Sequence, residues 1–284
     1  KEFGDTVERA IRYLLGVQRS DGAFSANVYA HAIAVSAIGE ASALTRMMIL
    51  NEALDRGLAV IFAGQQEAGG YDYQYARGTR SDTSVAGWQM QAMKAGLLAG
   101  HSDDRMAAAI RRGVDFLKHQ AWAADGSGFV YASTPGRAAE SGGTWSMTAV
   151  GTLCLTLLGE GSEGAWLRRG LKRLETGGPA WEGADSKKPV YSWYYATQAK
   201  FHAGGRDWAD WNRHFARALM ASQQADGHWE GGDHDAGTHV YTTTLSTLML
   251  EVYYRYLPSY AVSAPTATAA RPAAGTNEVS VEIR

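Results

Sequence analysis

The chain has 284 residues, 45% hydrophobic and 20% charged, with a net charge of −2. That is enough apolar sequence for one large core, and near-neutral, interspersed charge argues against nucleic acid as the main partner. No run of 18 apolar residues suggests a membrane-spanning helix, and the single cysteine, Cys154, excludes an internal disulfide.

Taken in order, one unit recurs: an amphipathic helix, a Gln, a Gly-aromatic turn and a second helix of small and apolar residues. The turns read Gln18…Gly22-Ala-Phe24, Gln65…Gly70-Tyr71, Gln120…Gly126…Phe129 and Gln223…Gly227-His-Trp229, with a degenerate copy at Thr176…Gly178-Pro-Ala-Trp181. Anchor spacings of 47, 55, 56 and 47 residues mark an array of helical hairpins. First helices are predicted over 7–15, 53–61, 106–117, 166–174 and 211–220, with apolar residues at i, i+3, i+4 and i+7. Second helices are predicted over 30–44, 83–98, 146–158, 191–203 and 241–254. They are nearly free of charge through their first three turns, so they should be buried on all sides. Five such helices, each wrapped by an outer partner, predict an all-α toroid over residues 1–258. The turn Gly is expected to end each outer helix with a positive φ. The aromatic should pack between repeats, and the Gln amide should satisfy nearby backbone groups.

Residues 259–284 read as an Ala/Pro/Thr-rich tail or linker that cannot bury a core. With the Lys1 start, this suggests a piece cut from a longer chain; a mature protein with a loose tail is the other reading.

These repeats resemble the QW-type motif of the prenyltransferase/squalene-oxidase repeat superfamily. That group holds squalene-hopene and oxidosqualene cyclases and protein prenyltransferase β subunits; complement-like thioester domains share the toroid. Segments such as Ser81-Asp-Thr-Ser-Val-Ala-Gly-Trp-Gln and Tyr191-Ser-Trp-Tyr-Tyr-Ala-Thr-Gln resemble a bacterial, planctomycete-like branch. The resemblance covers residues 5–258 and implies an (α/α)6 toroid, of which this chain shows five hairpins.

It does not carry over the relatives' catalytic signatures. Against the cyclases' Asp-x-Asp-Asp-Thr motif stands Thr79-Arg80-Ser81-Asp82-Thr83. Asp82 keeps the last acid, and Ser81 replaces the proton donor; a serine hydroxyl is far too weak an acid to protonate an alkene. Cys154 lacks the Asp two residues earlier that the zinc prenyltransferases use. The Cys-x-Glu-Gln of thioester domains is absent.

The remaining candidates belong to the rim formed by the N-terminal ends of the inner helices. Asp82 is the catalytic candidate, with helix capping as its alternative role. Tyr29, His31, Trp88, Trp145, Tyr191, Trp193, Tyr194, Tyr195, His239 and Tyr241 are the ligand-binding candidates, their aromatic walls suited to an apolar or sugar ligand or to a cation. They could equally fill the toroid's centre. Asp233, Asp235 and His239 form the one metal-like cluster, which a solvated turn with a capping Asp also explains. No cofactor is expected otherwise.

Three functions follow: a toroid binding an apolar or isoprenoid-like molecule, a protein-interaction module of a larger envelope protein, or a carbohydrate-active enzyme using two rim carboxylates.

Overall fold

The computed structural model describes residues 4–78, 80–160, 164–181, 189–231 and 238–254. The expected tail, 259–284, lies outside them. Ten α-helices occur among the described residues: α1 (Gly4–Val17), α2 (Val28–Thr45), α3 (Met48–Gly64), α4 (Thr83–Ala99), α5 (Asp104–Phe116), α6 (Trp145–Leu157), α7 (Ala165–Arg173), α8 (Val190–Ala203), α9 (Gly205–Ser222) and α10 (Val240–Glu251). Odd-numbered helices are the outer members of five hairpins and even-numbered ones the inner members. The inner helices start where side chains accept their first free N–H groups. Asn27 caps α2, Asp82 caps α4 and Thr144 caps α6, each satisfying donors that the helix cannot.

The inner helices pack in sequence, α2 on α4, α4 on α6, α6 on α8 and α8 on α10. Small residues set the close approaches: a Cβ on Gly39 of α2 would lie 2.8 Å from the Ala95 Cβ of α4, and one on Gly87 of α4 would lie 2.6 Å from Val150 of α6. The last inner helix, α10, does not pack on the first, α2, as the others pack on each other. Among the described residues the ring therefore has five inner helices and an open side. Helix α1 lies along that side, its stripe of Val7, Ile11 and Leu14 facing the gap.

The turns explain the repeat. The outer helix stops at the Gln itself, whose backbone is extended (Gln65 φ −68°, ψ 130°; Gln223 φ −69°, ψ 133°). The expected glycine stop is corrected accordingly: the positive φ falls in the turn beyond, at Gly22 (+90°), Gly69 (+91°) and Gly227 (+94°). Each of these closes a tight turn by donating its N–H to the carbonyl three residues earlier, at 2.9 Å. A side chain at Gly69 would meet the Arg112 carbonyl at 1.9 Å, and one at Gly22 the Arg56 carbonyl at 2.5 Å. Glycine is thus required twice over, for φ and for space.

The Gln amide ties this turn to the next hairpin. Gln18 Nε2 donates to the Gly22 carbonyl (3.0 Å) and to Ala53 of α3 (2.8 Å); Gln65 Nε2 donates to Gly69 (3.0 Å) and to Ala109 of α5 (2.9 Å). An arginine of that next helix returns a bond, Arg56 to Gln18 Oε1 (2.6 Å) and Arg112 to Gln65 Oε1 (2.6 Å). Gln120 departs from the pattern. It sits in a wide π turn, Leu117–Ala121, and donates back to Ala68 of the previous turn at 2.6 Å. The five turn aromatics, Phe24, Tyr71, Phe129, Trp181 and Trp229, are all buried. Gln65→Ala removes both donations within a buried seam and should lower unfolding free energy by about 2–3 kcal/mol. Gln223→Ala, which loses one exposed bond to Gly227, should cost under about 1 kcal/mol. Urea titrations of the two variants check the order.

Candidate functional site

At the N-terminal end of α4, two short strands bring a polar cluster together: β1 (Ser81–Asp82) pairs antiparallel with β2 (Ala132–Ser133). This pairing lays Tyr131 over the mouth, with its carbonyl accepting from Thr83 N at 2.9 Å. Asp82 is fully buried there. Its Oδ1 accepts from Ser84 N (2.9 Å), Val85 N (3.0 Å) and Ser84 Oγ (2.5 Å), and its Oδ2 accepts from Arg80. Arg80 also reaches Asp72 at 3.3 Å and lies between the rings of Tyr73 and Tyr131, 5.3 and 5.4 Å from their centroids. Desolvation works against its charge, but Asp82 and Asp72 outweigh it and hold the guanidinium pKa above the ordinary range. A chain of hydroxyls closes the rim, Ser84 to Tyr29 (2.7 Å), Tyr29 to Tyr73 (3.1 Å) and Tyr73 to Tyr131 (2.7 Å). Both Asp82 oxygens are engaged by the helix start and by Arg80. The residue is a cap and an ion-pair partner here, and it turns no free oxygen toward the ring's centre.

Beneath the mouth the centre is filled by rings. Tyr191 packs on Tyr195 (4.9 Å), Tyr195 on Tyr194 (5.1 Å), and Tyr194 stacks on Trp88 (5.6 Å, 17°). Burial pushes the hydroxyl pKa of each of the three tyrosines up, and at Tyr191 the nearby Tyr29, Tyr241 and Asp82 add to the effect. Gln91 binds this plug from α4, accepting from Tyr194 Oη (2.9 Å) and donating to Tyr195 Oη (3.3 Å).

Below the plug a cavity of about 430 Å³ opens toward the gap between α2 and α10. Val7, Ile11 and Leu14 of α1, Ile33 of α2, Trp88 of α4 and Leu248 of α10 give it mostly apolar walls. A few polar groups interrupt them: Ser36 and Glu40 of α2, Gln91 and Lys94 of α4, Gln198 of α8 and Glu251 of α10.

The single aromatic rim expected from the sequence is therefore divided. Tyr29 and Asp82 are at the mouth; Trp88, Tyr191, Tyr194 and Tyr195 form the central plug, with Tyr241 half-buried beside them. Three candidates face the seams instead. His31 is fully buried, its Nδ1 accepting from Phe24 N (3.1 Å) and its Nε2 3.1 Å from the Gly57 carbonyl. Thr148 and Thr243 do the same service for Phe129 N and Trp229 N in their own repeats (3.1 and 3.2 Å), so His31 is a repeat-structural residue. Trp193 donates to the Pro179 carbonyl (2.9 Å) and packs on Trp181 and Trp211, and Trp145 also packs on Trp211. Large rings in an inner helix point wherever the neighbouring turn leaves room, which the helical pattern alone does not reveal. His239 begins α10 with its ring 4.6 Å from that of His228. Asp233 and Asp235 lie outside the described residues, and among those described no three His, Cys, Asp or Glu side chains come together as a metal site. Cys154 is buried, its thiol pushed up to about 12 by burial, which fits a packing role.

The sequence reading missed Tyr73 and Tyr131 at the mouth and the polar groups of the cavity. The latter do leave a signal. Lys94 is the sole Lys, Arg, Asp or Glu of α4, and Glu40 that of α2.

His202 of α8 lies near Lys94, and burial, with a smaller push from that lysine, lowers its pKa from 6.5 to about 4. Burial lowers His31 as well. A histidine held neutral by the fold contributes stability above its ordinary pKa, and that stability is lost as pH falls toward the folded value. Unfolding free energy should therefore decline between about pH 6.5 and 4. His202→Gln should flatten the slope between pH 7 and 5, measured by urea titration at each pH.

No protein-family model matches the chain, and no curated protein matches it in sequence. Solved structures match its fold. The type II terpene cyclase MstE from Scytonema superposes with a TM-score of 0.57 at 16% identity, over 87% of this chain and 73% of that one. A variant of MstE in complex with its substrate geranylgeranyl dihydroxybenzoate gives 0.54 at 16%, over 92% and 76%. The α-1,6-mannanase GH76A from Salegentibacter sp. gives 0.59 at 11%, over 84% and 76%. At these identities the likeness is one of fold. The chain shares the α/α toroid fold of these structures, built here from five hairpins among the described residues.

Proposed function

We propose that this toroid binds an apolar, isoprenoid-like small molecule in the cavity on its open side, without the alkene-protonating chemistry of triterpene cyclases or the zinc chemistry of prenyltransferases. The observation that carries this reading is the cavity itself. It has about 430 Å³ of space, mostly apolar walls, an aromatic roof of Trp88 and Tyr194, and a few convergent polar groups. Ligand sites are commonly of this size and composition. A similar fold holds a geranylgeranyl compound in the cyclase variant, which supports an isoprenoid-sized guest. The absence of acid chemistry rests on Ser81 standing where the cyclases' donor would be and on the capping engagement of Asp82.

The interaction-module reading has one observation in its favour. Val7, Ile33 and Leu44 on the open side are 55%, 43% and 59% exposed. The same residues line the cavity, so an apolar guest accounts for them as well. The carbohydrate-enzyme reading is the weakest, because Asp72 and Asp82 share one arginine and do not face each other across a cleft.

A fluorescent apolar dye should bind the wild-type protein and be displaced by isoprenoid compounds. Ala37→Trp, which fills the cavity from an exposed position of α2, should weaken dye binding by tenfold or more, about 1.4 kcal/mol. Asp82→Asn, at the mouth, should leave it within about threefold. Dye binding that survives Ala37→Trp and is lost in Asp82→Asn would move the site to the mouth.

A further inference from the structure

The walls of the cavity carry more polarity than a hydrocarbon guest requires, and that polarity is concentrated. Ser36 and Glu40 are one turn apart on α2, Gln91 and Lys94 one turn apart on α4, and Tyr194 and Gln198 one turn apart on α8. All six line the same space. Gln91 and Tyr194 bind each other. Gln198 is different: it is 3% exposed, and its Nε2, though it lies by the Tyr194 hydroxyl, makes no hydrogen bond of good geometry, as is also true of the buried Ser36 Oγ. A buried amide left unmet is destabilising, a penalty that an oxygen atom on a bound guest would remove.

We propose that the cavity recognises an amphipathic guest with one neutral oxygen head, a hydroxyl or a carbonyl, held by Gln198 and Ser36 while the apolar body lies against Trp88, Leu157 and the stripe of α1. This rests on the ligand-binding reading given above and narrows it to a ligand class. A neutral head fits better than an anionic one because the walls, mostly apolar, disfavour charge as such: burial pushes the Lys94 amine down, against the pull of Glu40, and pushes the Glu251 carboxyl up. A further net charge would be expensive in such a setting.

The test is displacement of the apolar dye by four probes sharing one chain: farnesol, the hydrocarbon farnesane, farnesoate and farnesyl diphosphate. Farnesol should displace at about tenfold lower concentration than farnesane, the worth of one well-made hydrogen bond to a buried donor, and both anions should be weaker than the alcohol. Gln198→Met should bring farnesol down to the level of farnesane and leave farnesane unchanged. Ser36→Ala, a milder change at a half-buried position, should narrow the gap in the same direction. Equal displacement by farnesol and farnesane in the wild type, tightest binding by an anion, or a preference that survives both substitutions would overturn the head-group assignment while leaving the cavity as an apolar site. Failure of the dye and of all four probes to bind would instead overturn the ligand-binding reading on which the assignment rests. Should Gln198→Met not fold, the wild-type ranking and Ser36→Ala decide the question alone.

Discussion

One side-chain amide sets the geometry of this molecule. The turn glutamine reaches two carbonyls at once, one in its own turn and one in the outer helix of the following hairpin, as Gln18 does to Gly22 and Ala53 and Gln65 to Gly69 and Ala109. A backbone carbonyl cannot slide along a helix, so these paired hydrogen bonds fix the rotation and the height of the second and third hairpins relative to the one before. The arginine that returns a bond to the same amide and the glycine that lets the chain pass within contact of that arginine's carbonyl belong to the same joint. Where the joint changes, the structure changes: Gln120 sits in a π turn and bonds backwards, and in that repeat Arg173 donates directly to the Ser127 carbonyl at 2.9 Å.

A fixed angle between hairpins closes a ring only at a particular number of them. With the five among the described residues, α2 and α10 do not pack on each other as neighbours do, and apolar faces of α1, α2 and α10 line a cavity instead. The account of function follows from that vacancy. The N-terminal mouth, where the sequence alone would lead one to look, is occupied by its own network: Asp82 caps a helix, Arg80 is held between two acids and two rings, and the hydroxyls of Tyr29, Tyr73 and Tyr131 bind one another in series. The plug of Trp88, Tyr191, Tyr194 and Tyr195 then separates the mouth from the apolar space below it.

Much of the fold was legible because its causes are local. Charge-free stretches announce helices buried on all sides, and the spacing of Gln-Gly-aromatic turns gives the number of hairpins. The N-cap role of Asp82 was readable from its place before a helix of small residues. The site was far less legible. His31, Trp145 and Trp193 occupy helix positions as suitable for a rim as those of Trp88 and Tyr194, and only the packing of the neighbouring turn decides which way each ring lies. The cavity depends on something no local pattern expresses, the lack of close packing between α2 and α10 among the described residues. Its polar floor did leave a trace in the lone charges of α2 and α4, Glu40 and Lys94, which a reading centred on aromatic residues passes over.

The most direct test of this account is hydrogen–deuterium exchange, read by mass spectrometry, with and without saturating farnesol. The account predicts protection in α1, in the second half of α2 around Ser36 to Leu44, and near Leu248 to Glu251 of α10, with the segments carrying Tyr29, Tyr73 and Tyr131 unchanged. Protection concentrated at those mouth segments, with the open side of the ring unaffected, would contradict it.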